Sequence, residues 1–190
     1  MSSLGAQTLY TPEEYLFMER KATLKSEYLS GEILAMSGAS RAHNFITLDI
    51  ATELNIQLRG RDCEVYTGDM RVKVRQSNSY FYPDVVVACG ESQFEDNHFD
   101  SLLNPVVIIE VLSPSTEIYD RTEKFDYYKQ IATLQEYILV SQNKVKVERY
   151  RIQGNQWGLN EYHSLQTSLT LSSIGCRLPL SDVYRRVKLN

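Results

Sequence analysis

The chain has 190 residues, with 20 Lys plus Arg against 24 Asp plus Glu and a formal net charge of −4. Its 43% hydrophobic and 23% charged residues match a globular chain that buries a core, which excludes a disordered chain and a wholesale basic nucleic-acid binder. The longest charge-free run, Tyr162 to Cys176, is mostly polar, so no segment reads as a bilayer span.

The opening MSSLGAQ has neither the basic nor the apolar region of a secretory signal. Cys63, Cys89 and Cys176 are far apart in sequence and form no CxxC, which fits a reducing, cytoplasmic setting and provides no zinc framework. No repeat, low-complexity tract or linker is visible, so one domain over residues 1–190 is predicted.

Thr11-Pro12-Glu13-Glu14 predicts a first helix with a capping box. SEYL and EILAM around Ser30-Gly31 predict a hairpin. Phe45, Leu48, Ala51, Leu54 and Leu58 recur at helical steps and predict a helix from His43 to Arg59, with Gly60 as its stop. Residues 63–74 then read as a strand with a bulge at Gly68, 80–89 as a second strand, and VVIIEVL at 106–112 as a third. The third is apolar on both faces and so belongs at the centre of a sheet. Ser113-Pro114-Ser115-Thr116 precedes a helix over about 117–132. EYILVSQ, KVKVERYR and WGLNEYH read as further strands, and a short helix starts near Ser181. The outcome is a mixed α/β fold with a central sheet.

Glu110 interrupts an otherwise apolar strand. An ionised carboxylate there needs a cation or donors; a metal would serve, and so would a lysine in a purely structural ion pair. Asp84 follows Pro83 at the opening of the run VVVA, where it could face a cleft or cap local amides. Two carboxylates from neighbouring strands can converge on Mg²⁺ or Mn²⁺, which polarises a phosphodiester and generates hydroxide near neutral pH. Asp120, Lys124, Tyr127 and Tyr128 share a helix face. If that face meets the sheet, the Lys124 ammonium could orient water or stabilise developing charge; otherwise it forms an exposed pair with Asp120.

YPD followed by IIEV resembles the PD-(D/E)XK core of restriction-endonuclease-like nucleases. In order, TPEEYL, SEYLSGEILAMSG, AHN, GDMRVKV, YPDVVV, VIIEVLSPST and DRTEKFDYYKQI are similar to the Uma-two family, a large bacterial family of nucleases formerly a domain of unknown function. The resemblance covers about residues 10–155. It implies a restriction-endonuclease-like core in which Asp84 and Glu110 bind a divalent metal. The parent pattern's lysine position holds Leu112, and the resemblance places the lysine on the following helix, at Lys124, with Lys129 a poorer match. Glu27 in SEYLSGEI and His43 in AHN match further family motifs, as an auxiliary metal-site carboxylate and as a base or phosphate contact. A cross-strand ion pair for Glu27 and local bonding for His43 are the plain alternatives.

Arg71, Lys73 and Arg75 alternate on one strand face, and Lys144 and Lys146 do so later; a solvated outer face is preferred to a phosphate track. Arg185, Arg186 and Lys188 form a basic C-terminus of no assigned use. The leading expectation is a divalent-metal-dependent endonuclease acting on DNA, with no membrane partner and plausibly as a homodimer. A catalytically inactive nuclease-fold protein that binds nucleic acid or protein comes second, supported by Leu112. A glycosidase-like hydrolase comes last, because a lysine and a metal have no part in it. The heads of Glu27, Asp84, Glu110 and Lys124 are expected within about 4 to 8 Å of one another, a span for one hydrated Mg²⁺.

Overall fold

The computed structural model describes residues 8–189; the segment MSSLGAQ lies outside them. Thr11 caps α1 (Pro12–Glu19) with both halves of the capping box in place. β1 (Ser26–Leu29) and β2 (Glu32–Ala35) form the expected antiparallel hairpin. Its turn needs positive φ at Ser30 (48°) and Gly31 (111°), which glycine adopts without strain. α2 spans Arg41–Gln57 and starts two residues earlier than its apolar pattern, because Ser40 supplies the N-cap by accepting the His43 N–H at 3.1 Å.

The expected strand over 63–74 is two strands, β3 (Cys63–Thr67) and β4 (Arg71–Val74), in different sheets. Gly68 sits in the turn between them, closed by Met70 N–H to Thr67 O at 3.0 Å, and is no bulge. The expected strand over 80–89 likewise divides at Pro83 into β5 (Ser79–Phe81) and β6 (Val85–Cys89). β7 (Ser101–Leu102) is too short to show a pattern, and β8 (Val107–Leu112) is the apolar run.

The single helix expected over 117–132 is α3 (Glu117–Arg121) and α4 (Glu123–Tyr128). Thr122 breaks it at φ −120°, ψ −89°, where its hydroxyl donates back to Ile118 O at 2.7 Å. β9 (Glu136–Ser141), β10 (Val147–Gln153) and β11 (Gln156–Tyr162) follow. Then come β12 (Ser168–Leu171) and β13 (Cys176–Pro179), a pair that the sequence did not announce, and the short α5 (Leu180–Val183).

The main sheet has the order β11-β10-β9-β8-β6-β3, with β8 and β9 parallel and the other neighbours antiparallel. A second sheet has the order β2-β1-β5-β4-β7. Alternation along the central strands divides two cores. Val85, Val87, Ile109, Val111, Ile138 and Val140 pack toward α2, β12, β13 and α5. Val86, Ala88, Ile108, Leu112, Tyr137 and Leu139 pack toward α4 and the second sheet. α1 seals the far side of the second sheet by stacking Tyr15 on Tyr28, ring centroids 5.1 Å apart. No helix among the described residues is long and apolar enough to cross a membrane.

Three expectations about charged and sulfur-bearing side chains are corrected. Cys63 and Cys89 stand directly opposite in the β3–β6 register, Cα atoms 4.0 Å apart, and form a disulfide, so the reading of the cysteines as an unpaired set does not hold. Cys176 is free and buried. Arg71 is buried and pairs with Asp100, and Lys73 pairs with Glu95 at 2.5 Å, so these two belong to neither a solvated face nor a phosphate track, while Arg75 is exposed as expected. Lys144 and Lys146 lie in the turn before β10, where Lys146 pairs with Glu148 and Glu161 at 3.2 and 2.9 Å.

Candidate active site

β6 and β8 pair with Val85 opposite Ile109. One residue outward, that register sets Asp84 opposite Glu110, and the strand period turns Glu110 to the same face as Ile108 and Leu112. Asp84 N–H reaches Glu110 Oε2 at 3.4 Å, and Asp84 Oδ2 accepts the Val111 N–H at 2.7 Å. Pro83 ends β5 just before Asp84, which is why this carboxylate is the less buried of the two, 21% exposed against 5%.

α4 lies across that face and aims Lys124 at it. Lys124 Nζ is 2.9 Å from Glu110 Oε1, 2.9 Å from Glu27 Oε1 and 3.6 Å from Asp120 Oδ1, all side chains nearly sealed from water. Lys124 is therefore in direct contact with the heads of Glu27 and Glu110, closer than the expected 4 to 8 Å, while Asp84 meets Glu110 through its backbone N–H. Glu27 arrives from β1 and also accepts the Tyr82 N–H at 3.2 Å. The Tyr128 hydroxyl donates to Glu110 Oε1 at 3.0 Å, and that of Tyr137 donates to the Asp120 carbonyl at 2.9 Å. Lys129 caps the end of α4, pairs with Asp126 and takes no part. Leu112, in the parent lysine position, is buried in the core beneath α4.

His43 lies in the first turn of α2 with Nε2 3.1 Å from Asp84 Oδ2. The sequence candidates Glu27, His43, Asp84, Glu110 and Lys124 are thus brought together. Asp120 and Tyr128 belong to the same cluster; their signal was the helix face they share with Lys124. Gln142, which donates to Leu112 O at 2.9 Å and contacts the Ser40 cap, had no sequence signal. Two surface grooves, of about 690 Å³ beside Cys63, Tyr66 and Phe94 and about 880 Å³ beside Phe17, Arg20 and His98, include none of these residues.

Four carboxylates, Glu27, Asp84, Glu110 and Asp120, surround one lysine and one imidazole. Burial pushes the Glu110 carboxyl well above the usual range; Lys124 opposes this, and Asp120, Asp84 and Glu27 add to it. Burial also raises Asp120 against the pull of Lys124. For Lys124 burial favours the neutral amine, but Glu110, Glu27, Tyr128 and Asp120 outweigh it, so the ammonium persists. Burial lowers His43, and the hydrogen bond and charge of Asp84 overcome this to leave it raised. The four carboxyl groups outnumber the two cations, and burial moves Glu110 and Asp120 toward their neutral forms.

Among the described residues no three His, Cys, Asp or Glu side chains are grouped so as to hold a metal ion. The donor set suits a hydrated hard cation instead. Asp84 Oδ1 accepts no hydrogen bond among the described residues, and Glu110 Oε2 accepts only the long one from Asp84. One oxygen of Asp84 is thereby left without a partner, and one of Glu110 holds only a long bond, on adjacent strands.

A family model described as "Putative restriction endonuclease" matches residues 12–181. Uncharacterized protein sll1609 of Synechocystis sp. is 41% identical over 85% of this chain and 92% of its own length. Uncharacterized protein slr1290 of the same organism is 36% identical over 92% and 91%. The crystal structure of a "putative nuclease belonging to DUF820" from Anabaena variabilis superposes with a TM-score of 0.78 at 18% identity, covering 93% of this chain and 98% of that one. The fold is accordingly the restriction-endonuclease-like one, and by the span of the family match and the identity to its relatives the chain belongs to the Uma2 family.

Proposed function

We propose that the protein is a divalent-metal-dependent endonuclease that hydrolyses DNA phosphodiester bonds at the cluster of Asp84, Glu110, Lys124, Glu27 and His43. The observation that carries this reading is the placement of Asp84 and Glu110 at matched positions of adjacent strands, with one Asp84 oxygen unpartnered among the described residues, in a site whose carboxylates outnumber its cations. Asp84 and Glu110 would hold Mg²⁺ or Mn²⁺, which when bound polarises a phosphodiester and lowers the pKa of a water. Lys124 positions Glu110 and Glu27 side by side and would supply fixed positive charge for the negative charge that develops on the phosphoryl oxygens. Glu27 balances that ammonium. His43, held at the mouth and raised in pKa by Asp84, is suited to keeping a proton and giving it to a phosphate oxygen or leaving group, more than to taking one.

Two measurements test this. Mg²⁺- or Mn²⁺-dependent nicking of supercoiled DNA should be lost in Glu110→Gln, whose amide keeps the shape; an equally active variant rejects the reading. Calorimetric titration with Mn²⁺ should show binding that Asp84→Ala abolishes.

The burial of Lys124, with its donors engaged by carboxylates, favours the second reading, a nuclease-fold protein that binds without cutting. Under it Mn²⁺ would not bind, or would have no consequence for DNA. Cutting both strands of a duplex calls for two such sites, which a two-fold homodimer supplies; sedimentation equilibrium tests this. A DNA substrate would place the working protein in the cytoplasm.

A further inference from the structure

The basic C-terminal segment is built into the fold against α2, the helix that also carries His43. Arg185 and Arg186 converge on Asp49 of α2: Arg185 Nη2 and Nε reach Oδ1 at 2.6 and 3.0 Å, while Arg186 Nη2 and Nε reach Oδ1 and Oδ2 at 2.5 and 3.1 Å. Arg41, Phe45 and Asp49 follow one another at helical steps of four, so they form one stripe of α2. The Arg41 and Arg186 guanidinium groups both sit on the Phe45 ring, 4.5 and 4.4 Å from its centroid.

A third segment closes the surface. The turn between β9 and β10 touches the Ser40 cap of α2 through Gln142, and at its other end the Tyr184 hydroxyl donates to Lys146 O at 3.0 Å. Lys144 projects from that turn as an exposed residue, and Lys188 is exposed just past Arg186. Asp49 is shared by Arg185 and Arg186, Asp182 and Glu53 act on Arg185, and Glu148 and Glu161 pair with Lys146 in the turn that carries Lys144. Among the described residues Arg41, Lys144 and Lys188 have no carboxylate partner, and Arg186 keeps an Nη1 group that does not contact Asp49.

A chain of net charge −4 thus carries, on α2, the β9–β10 turn and the C-terminal segment, three exposed cations without a carboxylate partner among the described residues and two arginines that share one aspartate. Arg41 lies two residues before His43 on α2 and on a different side of the helix. Structural need does not account for the gathering, since one arginine satisfies one aspartate. Stacking on Phe45 holds two guanidinium groups in fixed planes, the form in which arginine grips phosphate oxygens.

We propose that this surface, formed by Arg41, Arg186, Lys144 and Lys188, binds the sugar-phosphate backbone of duplex DNA. The inference rests on the nuclease reading for its purpose, but its test does not depend on cleavage or on metal. Each phosphate contact contributes about 0.9 to the slope of log K against log salt, worth about eightfold in affinity between 1 M and 0.1 M salt.

The experiment is fluorescence anisotropy of a labelled 30-base-pair duplex, an arbitrary length, with the full chain in EDTA over a range of salt. Arg41→Gln and Lys144→Gln, neither of which holds a core contact, should each reduce the slope by about 1 and weaken binding about eightfold at 0.1 M salt. Lys21→Gln, on the cation stacked over Phe17 beyond the far sheet, should change neither. The proposal is overturned if the intact chain does not bind the duplex, if Arg41→Gln and Lys144→Gln keep the full slope, or if Lys21→Gln lowers it equally. DNA binding with the predicted slopes but no Mn²⁺ binding would leave this surface standing and remove the nuclease reading. Mn²⁺ binding with unchanged slopes would do the reverse.

Discussion

Replacing Lys124 by methionine keeps the length of the side chain and removes its charge from a pocket where carboxylate oxygens lie 2.9, 2.9 and 3.6 Å away. At an effective dielectric of about 20, each of the two nearer pairs attracts by about 5 to 6 kcal/mol, and the cost of taking the ions out of water cancels much of that. What remains on removing one partner of a buried ion pair is about 3–5 kcal/mol, because the other charge stays behind unpaired. In a chain of this size that lowers the melting temperature by roughly 6–20 °C. Differential scanning calorimetry in EDTA measures it. Adding Glu110→Gln to Lys124→Met should recover part of the loss, since one stranded carboxylate disappears, giving a coupling of about 0.5–3 kcal/mol in the double-mutant cycle. A Lys124→Met loss below about 1 kcal/mol, the level of an exposed pair, together with additive behaviour, would refute the reasoning.

Two further predictions concern the other side of the molecule and its edge strand. Burial raises Asp100, but hydrogen bonds from Arg20 and Arg71 outweigh it and hold the carboxyl well below its ordinary range. Its folded pKa lies below its unfolded one, so its stabilisation is complete above about pH 4 and is lost as pH falls through the folded value. Asp100→Asn should lower stability at neutral pH and flatten the acid limb in urea melts; an unchanged limb would show that the two arginines hold no charge there. The Cys63–Cys89 disulfide closes a separation of 26 residues, for which loop entropy predicts about 3.5 kcal/mol. Reductant should lower the melting temperature, and denatured, unreduced protein should titrate one thiol, that of Cys176. Three thiols, or an identical melt, would contradict the pairing.

The parts of this fold that were legible in sequence are those decided by neighbours in the chain. Thr11-Pro12-Glu14 specified a cap because each partner lies within three residues, and VVIIEVL specified a central strand because apolar residues on both faces can be buried only there. What escaped was decided across the chain. Residues 63–74 and 80–89 each look continuous, but two sheets divide them, and a local pattern of period two is the same on either side of the division. Cys63 and Cys89 looked unrelated because their distance depends on a register of five residue pairs, not on spacing. Arg71 looked like a surface cation because the aspartate that neutralises it is 29 residues away, in a loop with no pattern.

The same distinction explains how the site tolerates leucine at position 112. A lysine two residues after Glu110 on the strand would point to the same face and carry its own charge balance, independent of any other element. Here Leu112 is part of the core under α4, and the positive charge comes from α4 itself. Docking of that helix therefore has two components, the apolar one of Phe125 and Tyr128 against Tyr137 and Phe81, and the electrostatic one of Lys124 against carboxylates from β1 and β8. The helix cannot move away without leaving Glu27 and Glu110 buried and unpaired. The break at Thr122 fits that arrangement: it lets α3 and α4 take different directions while Asp120 and Lys124 still meet over the same carboxylates. With one ammonium shared by three acids, the cluster holds its shape through pairs none of which can be broken without stranding a buried polar group.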